Sequence, residues 1–283
     1  MRDRLKVLDE ILEFAKKSDN IRAVVLQGSL ANPINRIDDL SDLDPLFYVK
    51  DVSEFTDDDK WLNQFGQIIT RLYDDWDLGG NLKSYIRMVI YEDGLKVDFG
   101  IAPVESIKDI NDLMFYKVLL DKDNLVGPKT VNTEENFYPN LPTSLEYQKV
   151  INDFFWDISY IAKSLHREEM YFAKFMFENI NRFVRILLSW HLGIKHNWKV
   201  NIGLEGRYLK SLLSKDLWMK VMSTFSGGDI DDNWKALYST CDLVRELGNE
   251  IATKLDFIYP FEKDINMVDY LRKIEKMPKT YKL

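Results

Sequence analysis

Ile21-Arg22-Ala23-Val24-Val25-Leu26-Gln27-Gly28-Ser29 is followed, after a loop, by Asp42-Leu43-Asp44-Pro45-Leu46-Phe47-Tyr48-Val49. The first stretch is apolar and rich in β-branched residues, and it ends in two small ones. It reads as a buried strand running into a tight turn. Glycine and serine there let backbone N–H groups come close to an anion. The second stretch reads as a strand entered through an acid pair. On extended chain, residues i and i+2 point to the same side, so Asp42 and Asp44 aim two carboxylates at one place. Hard oxygen donors of this kind suit Mg²⁺ carrying a nucleoside triphosphate.

Working outward, Asp3 to Lys17 places Leu5, Leu8, Ile11, Leu12 and Ala15 at helical spacing. Downstream, Trp61 to Leu72 reads as a helix. Tyr85 to Tyr91 and Leu95 to Ala102 read as two strands separated by Glu92-Asp93-Gly94, a strong hairpin signal. Asp98 lies in the second arm, where a buried strand would prefer an apolar residue. Such a break in local consistency marks a candidate functional position. Glu105 to Leu120 reads as helical. Asn136-Phe137-Tyr138-Pro139-Asn140-Leu141-Pro142 is the clearest boundary, because two prolines stop regular structure. Thr143-Ser144-Leu145-Glu146 then opens a long helix with a capping box, and Asn233 to Leu255 forms another. The expected fold is α+β: a small mixed sheet flanked by helices over residues 1–138, then a helical bundle over 139–283.

Composition narrows the class. Of 283 residues, 46% are hydrophobic and 30% charged, which suits a globular chain with a real core. No apolar run is long enough to span a membrane, and Met1-Arg2-Asp3-Arg4-Leu5-Lys6 lacks the apolar stretch of a signal peptide. The single cysteine, Cys241, allows no intrachain disulfide. Together these lead us to expect a cytoplasmic protein. Three histidines are too few for a dense zinc site. The net charge of −8 disfavours a nucleic-acid partner, whose phosphates need lysine and arginine, and favours a cationic small molecule.

In the first long helix of the second half, Phe154, Ile158, Ile161 and Leu165 share one face, while Asp153, Asp157, Tyr160, Lys163 and Arg167 share another. The apolar stripe suits a bundle core. On the polar stripe, Lys163 suits a phosphate. Asp153 and Asp157 suit guanidinium or ammonium groups, to which charge-assisted hydrogen bonds are strong. The aromatics around them, among them Phe154, Phe155, Trp156, Phe172 and Phe175, are mostly core, with one or two available to wall a pocket.

Gly28-Ser29-Leu30-Ala31-Asn32-Pro33 followed by Ser41-Asp42-Leu43-Asp44 resembles the aminoglycoside 6-adenylyltransferases, also called streptomycin adenylyltransferases. These belong to the DNA polymerase beta-like nucleotidyltransferase superfamily. The resemblance extends through Lys60-Trp61-Leu62 with Phe65-Gly66, Glu92-Asp93-Gly94 leading to Asp98, and Val118-Leu119-Leu120-Asp121-Lys122-Asp123. In the helical half it takes in Tyr160-Ile161-Ala162-Lys163, Arg167-Glu168-Glu169 and Trp190-His191. It implies that Asp42 and Asp44 hold Mg²⁺ on the ATP phosphates. Asp98 would be the third carboxylate, as metal ligand, general base, or both. Gly28, Ser29 and Lys163 would bind the nucleotide. The implied reaction transfers AMP from ATP to a hydroxyl of streptomycin, giving antibiotic resistance. Two positions depart from the family pattern: Leu30 stands where arginine is usual, and Pro45 where a β-branched residue is usual. Transfer to another hydroxylated small molecule, and a nucleotide-binding module with impaired catalysis, stay open as alternatives. Retention of all three acids favours an enzyme.

Overall fold

The computed structural model describes residues 2–32, 37–80, 82–112, 115–127 and 134–279. Pro33, part of the Gly-Ser motif, lies outside the described residues. The chain divides into two compact units, Met1–Asn132 and Thr133–Leu283.

The first unit opens with α1 (Arg4–Lys17), whose first turn is capped by the Asp3 carboxylate accepting from the Leu5 N–H. It continues through β1 (Ile21–Leu26), the single turn α2 (Gly28–Ala31), β2 (Pro45–Val49) and the single turn α3 (Ser53–Thr56). Then come β3 (Ile68–Gly79), β4 (Leu82–Tyr91), β5 (Lys96–Pro103) and β6 (Lys117–Asp121). The strands form one sheet in the order β3-β4-β5-β2-β1-β6. All neighbours are antiparallel except β2 and β5, which run parallel. One face buries Val24, Phe47, Val97 and Phe99 against Val7 and Ile11 of α1. Trp61 closes this core by meeting Phe99 edge-on at 5.0 Å and stacking on Phe14 at 6.0 Å. The other face has a smaller core around Leu46, Tyr48 and Ala102.

Two expected helices are not found. Over Trp61–Leu72 the chain instead makes a 3₁₀ segment, Asp59–Phe65, and then enters β3. Gly66, at φ +144°, breaks the helix in a conformation that side chains avoid. Of the β-branched Ile68-Ile69-Thr70 that follow, Ile68 and Thr70 pair with β4, with a register shift between them. Over Glu105–Leu120 a 3₁₀ segment, Val104–Asp112, gives way to β6, which is recruited to the free edge of β1. The Asp-Gly hairpin forms as expected, with Tyr91 N–H donating to Leu95 C=O and Gly94 N–H to Tyr91 C=O.

The second unit is helical: α4 (Ser144–His166), α5 (Met170–Lys195), the short α6 (Leu209–Leu212), α7 (Lys215–Met222), α8 (Ile230–Leu255) and α9 (Phe261–Glu275). The capping box at Thr143 and Glu146 is complete. The α4 stripe of Phe154, Ile158, Ile161 and Leu165 is buried in the bundle core. None of the described helices is long and apolar enough to cross a membrane. Asp264 on α9 is 1% exposed and accepts from Arg245 Nε at 2.5 Å, Arg245 Nη2 at 2.8 Å and Tyr259 Oη at 2.9 Å. This buried carboxylate pins α9 to α8. Asp264→Ala should cost roughly 2–3 kcal/mol in urea unfolding of the full chain, less than a fully buried pair because Arg245 keeps contact with water.

Candidate active site

The site starts from one parallel bridge. Leu43 N–H donates to Lys96 C=O at 3.1 Å, and Asp98 N–H donates to Leu43 C=O at 2.8 Å. Leu43 therefore faces Val97, and both side chains turn into the α1-facing core. The same register, moved one residue each way, sets Asp44 beside Asp98 and Asp42 beside Lys96. Alternation along a strand puts all four of these side chains on the opposite face. The three acids singled out in the sequence are thus brought together.

The Gly-Ser turn joins them. Gln27 N–H donates to Asp44 C=O at 2.9 Å. Gly28 sits at φ +66°, and a Cβ there would fall 2.1 Å from Asp44 Oδ2. Only glycine lets backbone and carboxylate come this close. Ser29 follows in the α2 turn. Leu30, where the family pattern has arginine, is half-buried and packs on the sheet core, so this position serves packing. Pro45 is the first residue of β2, where proline is tolerated.

The electrostatics are tense. Burial, then the charges of Asp98 and Asp42, push the Asp44 carboxyl up to about 6, with Lys96 opposing. Lys96 was not anticipated as a site residue. Its Nζ donates to Asp42 Oδ2 at 2.8 Å and to Asp98 Oδ2 at 2.9 Å. Burial works against its charge, but these hydrogen bonds and the two carboxylate charges outweigh it and push the ammonium up to about 12. The signal for Lys96 was present in the sequence: it stands two residues before Asp98 on one strand, and so on the same face.

The donors fit a hard divalent cation. Asp98 Oδ1 is buried and has no hydrogen-bond partner among the described residues. An ion beside it would satisfy that oxygen and ease the crowding at Asp44. Among the described residues, no three His, Cys, Asp or Glu side chains are already gathered as an ion cage.

The remaining candidates lie in the helical unit. Lys163 lines a cavity of about 470 Å³ between α4 and α9, walled by Phe155, Trp156, Tyr160 and Tyr270. Its Nζ stands 5.6 Å from the Tyr160 ring centre. Among the described residues Lys163 has no carboxylate partner, and Lys263 in the same cavity donates to Asn152. Asp153 lines a different cavity, with Arg182 and Trp190, and pairs with Lys149 at 2.6 Å. Asp157 accepts from Asn179 at 2.5 Å, and burial, then the charge of Asp153, raises its pKa. Lys163 and Asp153 thus line different cavities, although they share one helix with Asp157.

Three acids, two just before β2 and one on β5, beside a Gly-Ser turn form the candidate site of this chain. Residues 1–274 match the family described as Streptomycin adenylyltransferase, and the chain belongs to that family. It is 32% identical over 277 residues to an aminoglycoside 6-adenylyltransferase of Campylobacter jejuni, covering 95% of each chain. A Bacillus subtilis protein of the same name is 31% identical over 271 residues, covering 92% of this chain and 94% of its own. A crystal structure of the Bacillus subtilis aminoglycoside 6-adenyltransferase aligns over 98% of this chain and 100% of its own at 28% identity, with a TM-score of 0.48. Family membership rests on the sequence matches. The chain is an enzyme, a nucleotidyltransferase.

The raised pKa of Asp44 has a testable consequence for stability. In the unfolded chain the group ionises near its ordinary value, 3.8; in the folded chain it ionises near 6. Between these values the folded state binds more protons, so this group's contribution to stability falls as pH rises and is fully lost above about 6. Asp44→Asn should therefore raise Tm in metal-free buffer at pH 8. The margin should shrink as pH falls from 6 to 4, as read by thermal unfolding across that range.

Proposed function

We propose that this enzyme transfers AMP from ATP to a hydroxyl of an aminoglycoside, with streptomycin as the acceptor, and so confers resistance to the drug. The main support is the convergence of Asp42, Asp44 and Asp98 on one sheet face beside Gly28. The matched family's description and the shared name of the relatives indicate the acceptor, and that name points to the hydroxyl at position 6. The acidic net charge of −8 favours approach of a polycationic drug. We also assign the enzyme to the cytoplasm, in keeping with its single cysteine.

In this reading residues 1–138 form the catalytic domain and residues 139–283 bind substrate. Asp42 and Asp44, with Asp98, hold Mg²⁺. Bound there, Mg²⁺ would neutralise charge on the triphosphate and on the departing pyrophosphate. The Gly28-Ser29 backbone cradles the triphosphate, which needs the closeness that a side chain at residue 28 would forbid. The Asp98 carboxylate takes the proton of the acceptor hydroxyl. The acceptor oxygen then bonds to the α-phosphorus as the α–β bridging bond breaks, and pyrophosphate leaves with that electron pair. Lys163, in a cavity with Trp156 and Tyr160, supplies a cation for phosphate and aromatic faces for a base. Asp153 and Asp157 supply carboxylates for the cationic groups of the drug.

With ATP and Mg²⁺, the purified protein should release pyrophosphate in the presence of streptomycin, and mass spectrometry should find the drug heavier by one AMP. Modification of kanamycin-type drugs but not of streptomycin would refute the acceptor assignment. No transfer to any aminoglycoside would support the impaired-module alternative.

Asp98→Asn keeps the shape of the side chain but removes its basicity. Turnover should fall by roughly 10²–10⁴-fold, while calorimetric titration still shows nucleotide binding. Near-normal turnover in the folded variant would remove Asp98 from the mechanism.

A further inference from the structure

The sheet carries a cation of its own inside the acid cluster. Asp42, Asp44 and Asp98 share one face with Lys96, and the Lys96 ammonium sits between Asp42 Oδ2 and Asp98 Oδ2, at 2.8 and 2.9 Å. A divalent ion bridging the same two oxygens needs about 2.1 Å to each. The ammonium and such an ion cannot share that space.

The arrangement is built into the backbone. Lys96 and Asp98 are alternate residues of β5, and the Leu43–Val97 bridge fixes Asp42 opposite Lys96. The Lys96 side chain is 35% exposed, and its flexible four-carbon stem leaves the ammonium a way out to water. The other cations of the first unit that contact carboxylates do so elsewhere: among the described residues, only Lys96 is paired with Asp42 or Asp98.

We propose that Lys96 is a placeholder cation: it holds Asp42 and Asp98 together while no metal is bound, and it withdraws when metal enters with the nucleotide. This inference rests on the reading of Asp42, Asp44 and Asp98 as the metal-binding acids. It explains how one fold tolerates three clustered acids before substrate arrives. It also carries a cost for binding. Metal alone must break two charge-assisted hydrogen bonds, whereas metal arriving with a triphosphate offers the displaced ammonium a new anionic partner. The chain is thereby biased toward the metal–nucleotide complex over free metal.

The test uses Lys96→Met, which keeps an apolar stem and removes the charge, and free Mg²⁺ as the probe. In metal-free buffer the variant should unfold at a lower Tm than wild type, because two acids lose their cation. Mg²⁺ alone should bind to it about tenfold or more tightly than to wild type by calorimetry, the order expected when charge-assisted hydrogen bonds need not be broken first. Saturating Mg²⁺ should also raise its Tm by more than it raises that of wild type. The wild-type protein gives an independent readout: Mg²⁺ alone should speed acylation of Lys96, followed by peptide mass spectrometry, because the ammonium is released. Equal or weaker Mg²⁺ binding by a folded Lys96→Met variant would overturn the proposal. If the variant does not fold, unchanged Lys96 acylation at saturating Mg²⁺ would overturn it. Adding Asp42→Asn to Lys96→Met separates the two levels of the claim. Loss of the Mg²⁺ signal supports the metal-binding role of the acids. Mg²⁺ binding that persists unchanged means that this underlying reading has failed.

Discussion

The parallel pairing of β2 with β5 is the constraint on which the site depends. Its two hydrogen bonds at Leu43 decide which residues of the two strands are neighbours. A slip of the 42–44 segment by one residue against β5 would turn Asp42 and Asp44 into the apolar core, away from Asp98, and bring Leu43 out of it. Burial of Leu43 and Val97 holds that register, since both are almost completely shielded from water. The hydrophobic core and the acid cluster are therefore two sides of one alternating pattern.

The cluster is held against its own electrostatics. Burial, and then the like charges of Asp98 and Asp42, push Asp44 toward its neutral form, and one buried oxygen of Asp98 is unpaired among the described residues. A protein selected for stability alone would not gather these groups. Lys96 offsets part of the tension from within the sheet, and Gly28 gives the backbone room beside Asp44. Such local conflict is expected where a surface is shaped for a charged ligand.

Much of this was legible in the sequence, for reasons that differ by element. β1, α1 and the Asp-Gly hairpin have strong local signals, and α4 announces itself by its capping box. Asp98 could be singled out because it interrupts an apolar strand pattern, and Asp42 and Asp44 because two acids at i, i+2 spacing lead into a strand. The expected helix over Trp61–Leu72 failed because β3 is an edge strand exposed along most of its length, so no period-two burial marks it. The expected helix over Glu105–Leu120 failed because β6 exists through its pairing with β1, which no local window can show. Lys96 was overlooked because a lysine in a half-exposed strand is ordinary. Its meaning appears only once the register sets it opposite Asp42.

The central claim is that this register makes Asp42, Asp44 and Asp98 a single metal–nucleotide site. Its most direct test is a crystal structure with Mg²⁺ and a non-hydrolysable ATP analogue. The account predicts ion density at about 2.1 Å from carboxylate oxygens of these acids, with the triphosphate against Gly28 and Ser29 and the Lys96 ammonium moved away from Asp42. Triphosphate and ion bound elsewhere, with Lys96 still bridging Asp42 and Asp98, would contradict it.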